Sequence, residues 1–144
     1  MSTKSIYNAL LEEGFQKLTV VDSEGAIIEE ITTTNTAAAT AFANALTIAT
    51  DSTVSFEIRV TGVEALTGDT YAYTHKGAAV NLAGAVSLVD TVLYESIAES
   101  AQVVTDGWDS QTNINGTTLQ TRVYGHASKT IKWKASFVYN TITF

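Results

Sequence analysis

Apolar and polar side chains alternate with a period of two along much of this chain. Val54, Phe56, Ile58 and Val60 are interleaved with Ser55, Glu57, Arg59 and Thr61. Successive side chains of a strand point to opposite faces, so this run predicts a strand with one greasy and one wet face. A second run sets Leu119, Thr121 and Val123 against Gln120, Arg122 and Tyr124. A third alternates Ile131, Trp133, Ala135, Phe137 and Tyr139 with Lys132, Lys134, Ser136 and Val138. Tyr71, Tyr73 and His75 share a strand face, Val86 and Leu88 flank Ser87, and Ala101, Val103 and Thr105 form another short run.

Turn signals punctuate these runs. Gly62 and the stretch Leu66-Thr67-Gly68-Asp69 interrupt the pattern after the first strand. Asn115-Gly116 is a strong two-residue hairpin signal, and Gly125-His126-Ala127-Ser128 reads as a turn before the last strand. Short strands separated in this way predict an all-β fold, an antiparallel sandwich or jelly roll.

The first quarter of the chain is organised differently. Ser5 can cap a short N-terminal helix with Ile6, Leu10 and Leu11 on one side and Gly14 at its end. Such a segment is too short to stand alone and needs a surface to pack on. Leu18 to Val21, the cluster Asp22-Ser23-Glu24-Gly25 and the return through Ala26 to Ile31 read as a β-hairpin. Two strands alone are marginal in water, so the hairpin is expected to join a sheet. The expected division is an anchoring segment and hairpin over 1–34 and a β-sandwich domain over 35–144.

Composition narrows the function. With 15 acidic against 8 basic residues, the net charge of −7 opposes binding to nucleic acid or to an anionic membrane. The stretch Met1 to Gly14 lacks the apolar run of a signal peptide, and Thr36 to Ile48 is too short to span a bilayer. There is no cysteine, which removes disulfides, thiolate metal sites and cysteine nucleophiles. A small domain without disulfides gains robustness from self-association.

From Thr36 onward the order of features resembles a β-sandwich module of tailed-bacteriophage virion proteins. The features are a Thr/Ala-rich lead into Ala45 to Ser52, the strand Val54 to Gly62, a Gly68-Asp69 turn into Tyr71 and Tyr73, the pair Trp108-Asp109, and the closing stretches Gly116 to Gly125 and Lys129 to Trp133. The stretch Lys76 to Ala85 departs from the pattern, and the first 35 residues have no counterpart in it. The resemblance implies a virion surface protein, usually trimeric, found in capsid decorations and in head or tail fibres.

Little in the sequence points to catalysis. A nucleophile–His–carboxylate set would need His75 or His126 beside a Ser or Thr, and neither lies in a recognisable nucleophile motif. Asp106, Asp109 and Asn113 offer oxygen ligands without a Ca²⁺-loop pattern, and Asp106-Gly107 reads as an ordinary turn. Asn115-Gly116-Thr117 matches a glycosylation sequon, which the hairpin turn explains. No catalytic residue, cofactor or metal is expected. Trp133 and Tyr139 are expected in the core. Tyr124 and Arg122 are expected to point outward, where a Tyr beside an Arg suits a protein interface or a sugar site.

The function expected from these readings is a non-enzymatic structural protein of a phage virion, assembled in the host cytoplasm. Capsid decoration comes first, with a homotrimer docking on the major capsid protein or another virion protein. A tail- or head-fibre subunit contacting host glycan is the alternative. The candidate anchoring or interface residues are Ile6, Tyr7, Leu10, Leu11, Phe15, Arg122 and Tyr124.

Overall fold

A computed structural model describes residues 24–43 and 46–144. They form two antiparallel sheets packed face to face, an all-β sandwich. The larger sheet holds β1 (Glu24–Thr34), β10 (Thr130–Thr143), β4 (Ser52–Glu64), β5 (Thr70–Leu82) and β6 (Ala85–Leu88) in that order. A further strand, β7 (Leu93–Glu99), pairs with the other half of β5. The smaller sheet places β2 (Ala39–Ala41) and β3 (Leu46–Thr47) along one side of β9 (Thr118–Tyr124) and β8 (Asp109–Asn115) along the other. The expected N-terminal helix, the first strand of the expected hairpin and Ile6, Tyr7, Leu10, Leu11 and Phe15 lie outside the described residues. The return strand of that hairpin is β1, which pairs with β10 along its whole length.

The alternating runs bury the side they predict. Val54, Phe56, Ile58 and Val60 of β4 meet Ile131, Trp133, Ala135 and Phe137 of β10 in one core with Leu119 and Val123 of β9. Trp133 lies among these, edge-on to Tyr71 and tilted against Trp108, and its indole N–H donates to Thr33 Oγ1 at 2.9 Å. Tyr139 is partly buried against the same core.

Several local expectations are corrected. Gly62 does not interrupt β4, which runs through it to Glu64. The ring of Trp133 lies over Gly62 so closely that a Cβ there would stand 2.6 Å from ring carbons. Glycine here makes room for the indole. The stretch from Lys76, which departs from the resembled pattern, continues strand β5 to Leu82, with Gly77 under the Phe56 ring and a tight turn at Ala83-Gly84, both at positive φ. The central residues of the β8–β9 loop are Gly116-Thr117, because Asn115 pairs with Thr118, and the positive φ falls on Gly116.

The run at Ala101, Val103 and Thr105 is not a strand. Residues Ala101–Asp106 form a short helix, α1, which buries Val103 and ends at Gly107 in the left-handed conformation. The Gly107 N–H donates to the carbonyls of Val103 and Val104, closing the helix. A run this short fits either period, and tertiary packing decided it. Strand β7 carries no inward stripe that would mark it in the sequence, because most of its residues are exposed. Its pairing with β5 slips beside Ala72 and Tyr73, leaving Ile97 as the extra residue of a bulge.

Candidate functional site

Three polar groupings stand out among the described residues. The first lies between the sheets. Tyr71, Tyr73 and His75 share the inward face of β5, with the two tyrosine rings stacked at 4.8 Å. Ser110 and Thr112 occupy inward positions of β8, and Thr121 one of β9. His75 Nε2 is 2.8 Å from Ser110 Oγ, and His75 Nδ1 is 2.6 Å from Thr112 Oγ1. Ser110 Oγ is also 2.6 Å from Tyr71 Oη, and Thr112 Oγ1 is 2.8 Å from Thr121 Oγ1. Tyr94 packs edge-on against the imidazole, accepts from the Thr112 N–H and donates to the Thr112 carbonyl.

The fold thus brings His75 beside a Ser and a Thr, which the sequence did not indicate. The set is sealed, with His75, Ser110 and Thr112 all buried, and the groups on the imidazole nitrogens are hydroxyls rather than carboxylates. Burial lowers the His75 pKa to about 4, so the ring is neutral at pH 7. The same burial pushes the Tyr71 hydroxyl well above its ordinary value. What this seam does chemically is join two sheets by hydroxyl and imidazole hydrogen bonds inside an otherwise apolar core.

The second grouping closes one end of the sandwich. Lys129 Nζ lies 3.3 Å from Glu64 Oε1, 3.3 Å from Asp106 Oδ2 and 3.9 Å from Asp69 Oδ2. Thr67 Oγ1 is within hydrogen-bond distance of both Glu64 and Asp69. Asp106 Oδ1 accepts from Gln102 Nε2 at 2.8 Å, and this bond with the nearby Lys129 holds its carboxyl below the usual range. Burial works against the Lys129 charge, and the Asp106 and Glu64 carboxylates outweigh it, so its pKa is raised.

His126 Nδ1 accepts from Ser128, while its Nε2 is 3.8 Å from Asp106 Oδ1, beyond hydrogen-bonding reach. The bond to Ser128 spans two residues and closes the turn. The cluster therefore ties the β4–β5 turn, the end of α1 and the β9–β10 loop together. Among the described residues, no group of three or more His, Asp or Glu is placed to hold a metal ion.

The third grouping is the outward face of β8 and β9. As the alternation predicts, Arg122 and Tyr124 occupy non-core positions of β9, half-buried, with Gln120 beside them. The hairpin register sets Gln111 opposite Arg122, Asp109 opposite Tyr124 and Asn113 opposite Gln120. Gln111 Oε1 accepts from both Tyr124 Oη at 3.0 Å and Arg122 Nη2 at 3.3 Å. The structure thus brings the two candidate residues together through a third that the sequence reading had not singled out. Counting pairs outward from the hairpin loop would have found Gln111.

Two polar atoms of this face, Arg122 Nε and Asn113 Oδ1, are shielded from water without a hydrogen-bond partner. No large hydrophobic side chain of β8 or β9 is exposed. The outward face of the larger sheet differs in this respect, exposing Ile28, Val138 and Ile142.

No protein-family model matches this chain, and no curated protein matches it. Solved structures that resemble it at low identity include two tailspike proteins of Acinetobacter baumannii phages. One is from bacteriophage Fri1 and is described as a capsular polysaccharide depolymerase; it shares 10% identity at a TM-score of 0.41 over 86% of this chain and 20% of that one. The other, from phage AM24, shares 9% identity at a TM-score of 0.40 over 84% of this chain and 26% of that one. The chain therefore spans about a fifth to a quarter of the tailspikes it resembles. A likeness of this degree does not carry their activity over to this chain.

Proposed function

We propose that this chain is a non-enzymatic, self-associating module of a tailed-phage particle that contacts host-surface glycan through the outward face of β8 and β9. The observation that carries this reading is the Tyr124–Gln111–Arg122 cluster. It combines an aromatic ring, a guanidinium and amides on a face without exposed large hydrophobics. Such a face suits a hydrated, hydroxyl-rich ligand better than a dry protein contact. The order of strands and turns that resembles tailed-phage virion modules supplies the setting, and the sealed His75 seam offers no reacting group to a substrate.

The test is a glycan array probed with the intact chain and with Tyr124→Ala, Arg122→Ala and Gln111→Ala. Selective binding by the intact chain, weakened at least tenfold in each variant, is the expected result. Absence of selective binding, or binding indifferent to all three substitutions, would overturn the reading.

Capsid decoration keeps the same fold and replaces the glycan with the major capsid protein. Electron microscopy of particles labelled against this chain separates the two locations. Sedimentation tests the expected homotrimer.

A further inference from the structure

The outward face of the β8–β9 hairpin is a ladder of paired polar side chains. The register sets Asp109 opposite Tyr124, Gln111 opposite Arg122, Asn113 opposite Gln120 and Asn115 opposite Thr118. Side chains two residues apart share a face, so the rungs follow one another at about 7 Å and together cover roughly 20 Å. Every one of these side chains is exposed or half-buried. On the other side of β9, β2 sets Ala39 beside Tyr124 and Ala41 beside Arg122, and β3 sets Thr47 beside Thr118. Ala39, Ala41 and Thr47 are exposed, and the two alanine methyl groups leave that flank of the ladder low.

The charge on this ladder cancels. Its one anion, Asp109, stands one rung from its one cation, Arg122. Asp109 accepts from the Ser110 N–H at 2.8 Å, and Arg122 Nη2 donates to Gln111 Oε1 at 3.3 Å, so each is held by a neutral group. The whole chain carries a net charge of −7. An anionic ligand would approach an acidic protein and find a single cation, already offset by Asp109. What the ladder supplies in quantity is amide. Gln111, Asn113, Asn115 and Gln120 each present an acceptor oxygen and an N–H₂ donor, and Tyr124 and Thr118 add hydroxyls. A sugar hydroxyl both donates and accepts, so it can use both halves of an amide. A carboxylate only accepts, and would leave the amide oxygens facing negative charge.

We propose that the ligand of this face is an uncharged glycan chain lying along the hairpin from Tyr124 to Asn115, with Asn113 and Gln120 as its central hydrogen-bonding pair. This deepens the glycan-binding reading above and rests on it. Tyr124 offers an aromatic ring at one end for the apolar face of a sugar, and the amide rungs bond the hydroxyls of the units beyond it.

The test uses the full chain on an array that carries each glycan backbone in an uncharged and in a carboxylated form. The expected result is selective binding to uncharged members. Its affinity should change by less than about twofold between about 0.05 M and about 0.5 M salt, since no charge pair holds the ligand. Asn113→Ala/Gln120→Ala should weaken that binding by about tenfold or more through the lost hydrogen bonds, at an unchanged melting temperature. Preference for the carboxylated members, weakened by salt and by Arg122→Gln, would overturn the uncharged class and leave the glycan reading standing. Binding lost in Tyr124→Ala but untouched in Asn113→Ala/Gln120→Ala would overturn the placement along the ladder. Absence of selective binding to either form would overturn the glycan reading and this inference with it.

Discussion

Acid should loosen this sandwich through one imidazole. His75 is fully buried, and its pKa falls from 6.5 to about 4 because the charged ring would be cut off from water. The hydroxyls of Ser110 and Thr112 can rotate to accept from a doubly protonated ring, so the penalty is chiefly desolvation. Between about pH 6.5 and pH 4 the unfolded chain holds a proton on this residue that the folded chain refuses. The contribution is therefore fully present above pH 6.5 and is lost progressively as the pH falls toward 4. At roughly 1.4 kcal/mol per pH unit, the loss across this window comes to about 3 kcal/mol.

Carboxylates also titrate in acid, so the measurement must isolate the ring. Urea unfolding of the wild type and of His75→Gln, compared from about pH 7 down to about pH 4, does this. At neutral pH the glutamine variant should be less stable by about 1–3 kcal/mol, since one amide cannot serve both hydroxyls in the geometry of the ring. As the pH falls, that gap should close by about 3 kcal/mol, because only the wild type carries the histidine penalty. Two stability curves running parallel across the window would refute the reasoning.

Two further substitutions probe the packing and the end clamp. Gly62→Ala places a methyl group 2.6 Å from the Trp133 ring and should lower stability by about 1–3 kcal/mol, read as a lower urea midpoint with an unchanged slope. Lys129→Met removes the cation from among Glu64, Asp69 and Asp106, so the melting temperature should drop. The depressed Asp106 carboxyl contributes stability that is present above its unfolded pKa and lost as the pH falls through its folded value. The gap in melting temperature between Lys129→Met and wild type should therefore narrow in acid, and a gap of constant size would exclude a charge-based clamp.

By itself the sequence determined that this is a β protein and which side of its main strands faces inward. Strict alternation in β4, β9 and β10 leaves one choice of buried face, since a slip of one residue would turn Phe56, Val123 or Trp133 into water. The same alternation made Arg122 and Tyr124 legible as outward residues, and half of the candidate face with them. Alternation does not say which strand lies beside which, or what lies across the core.

That the inward polar positions Ser110 and Thr112 meet His75 was decided by the stacking of the two sheets, because a buried hydroxyl must find a partner and the partner sits some 35 residues away. The gathering of Glu64, Asp106 and Lys129 likewise depends on three loops meeting at one end of the sandwich. The short run at Ala101 became helix because Gly107 could close it and the core could take Val103, and six residues are too few for periodicity to overrule their surroundings.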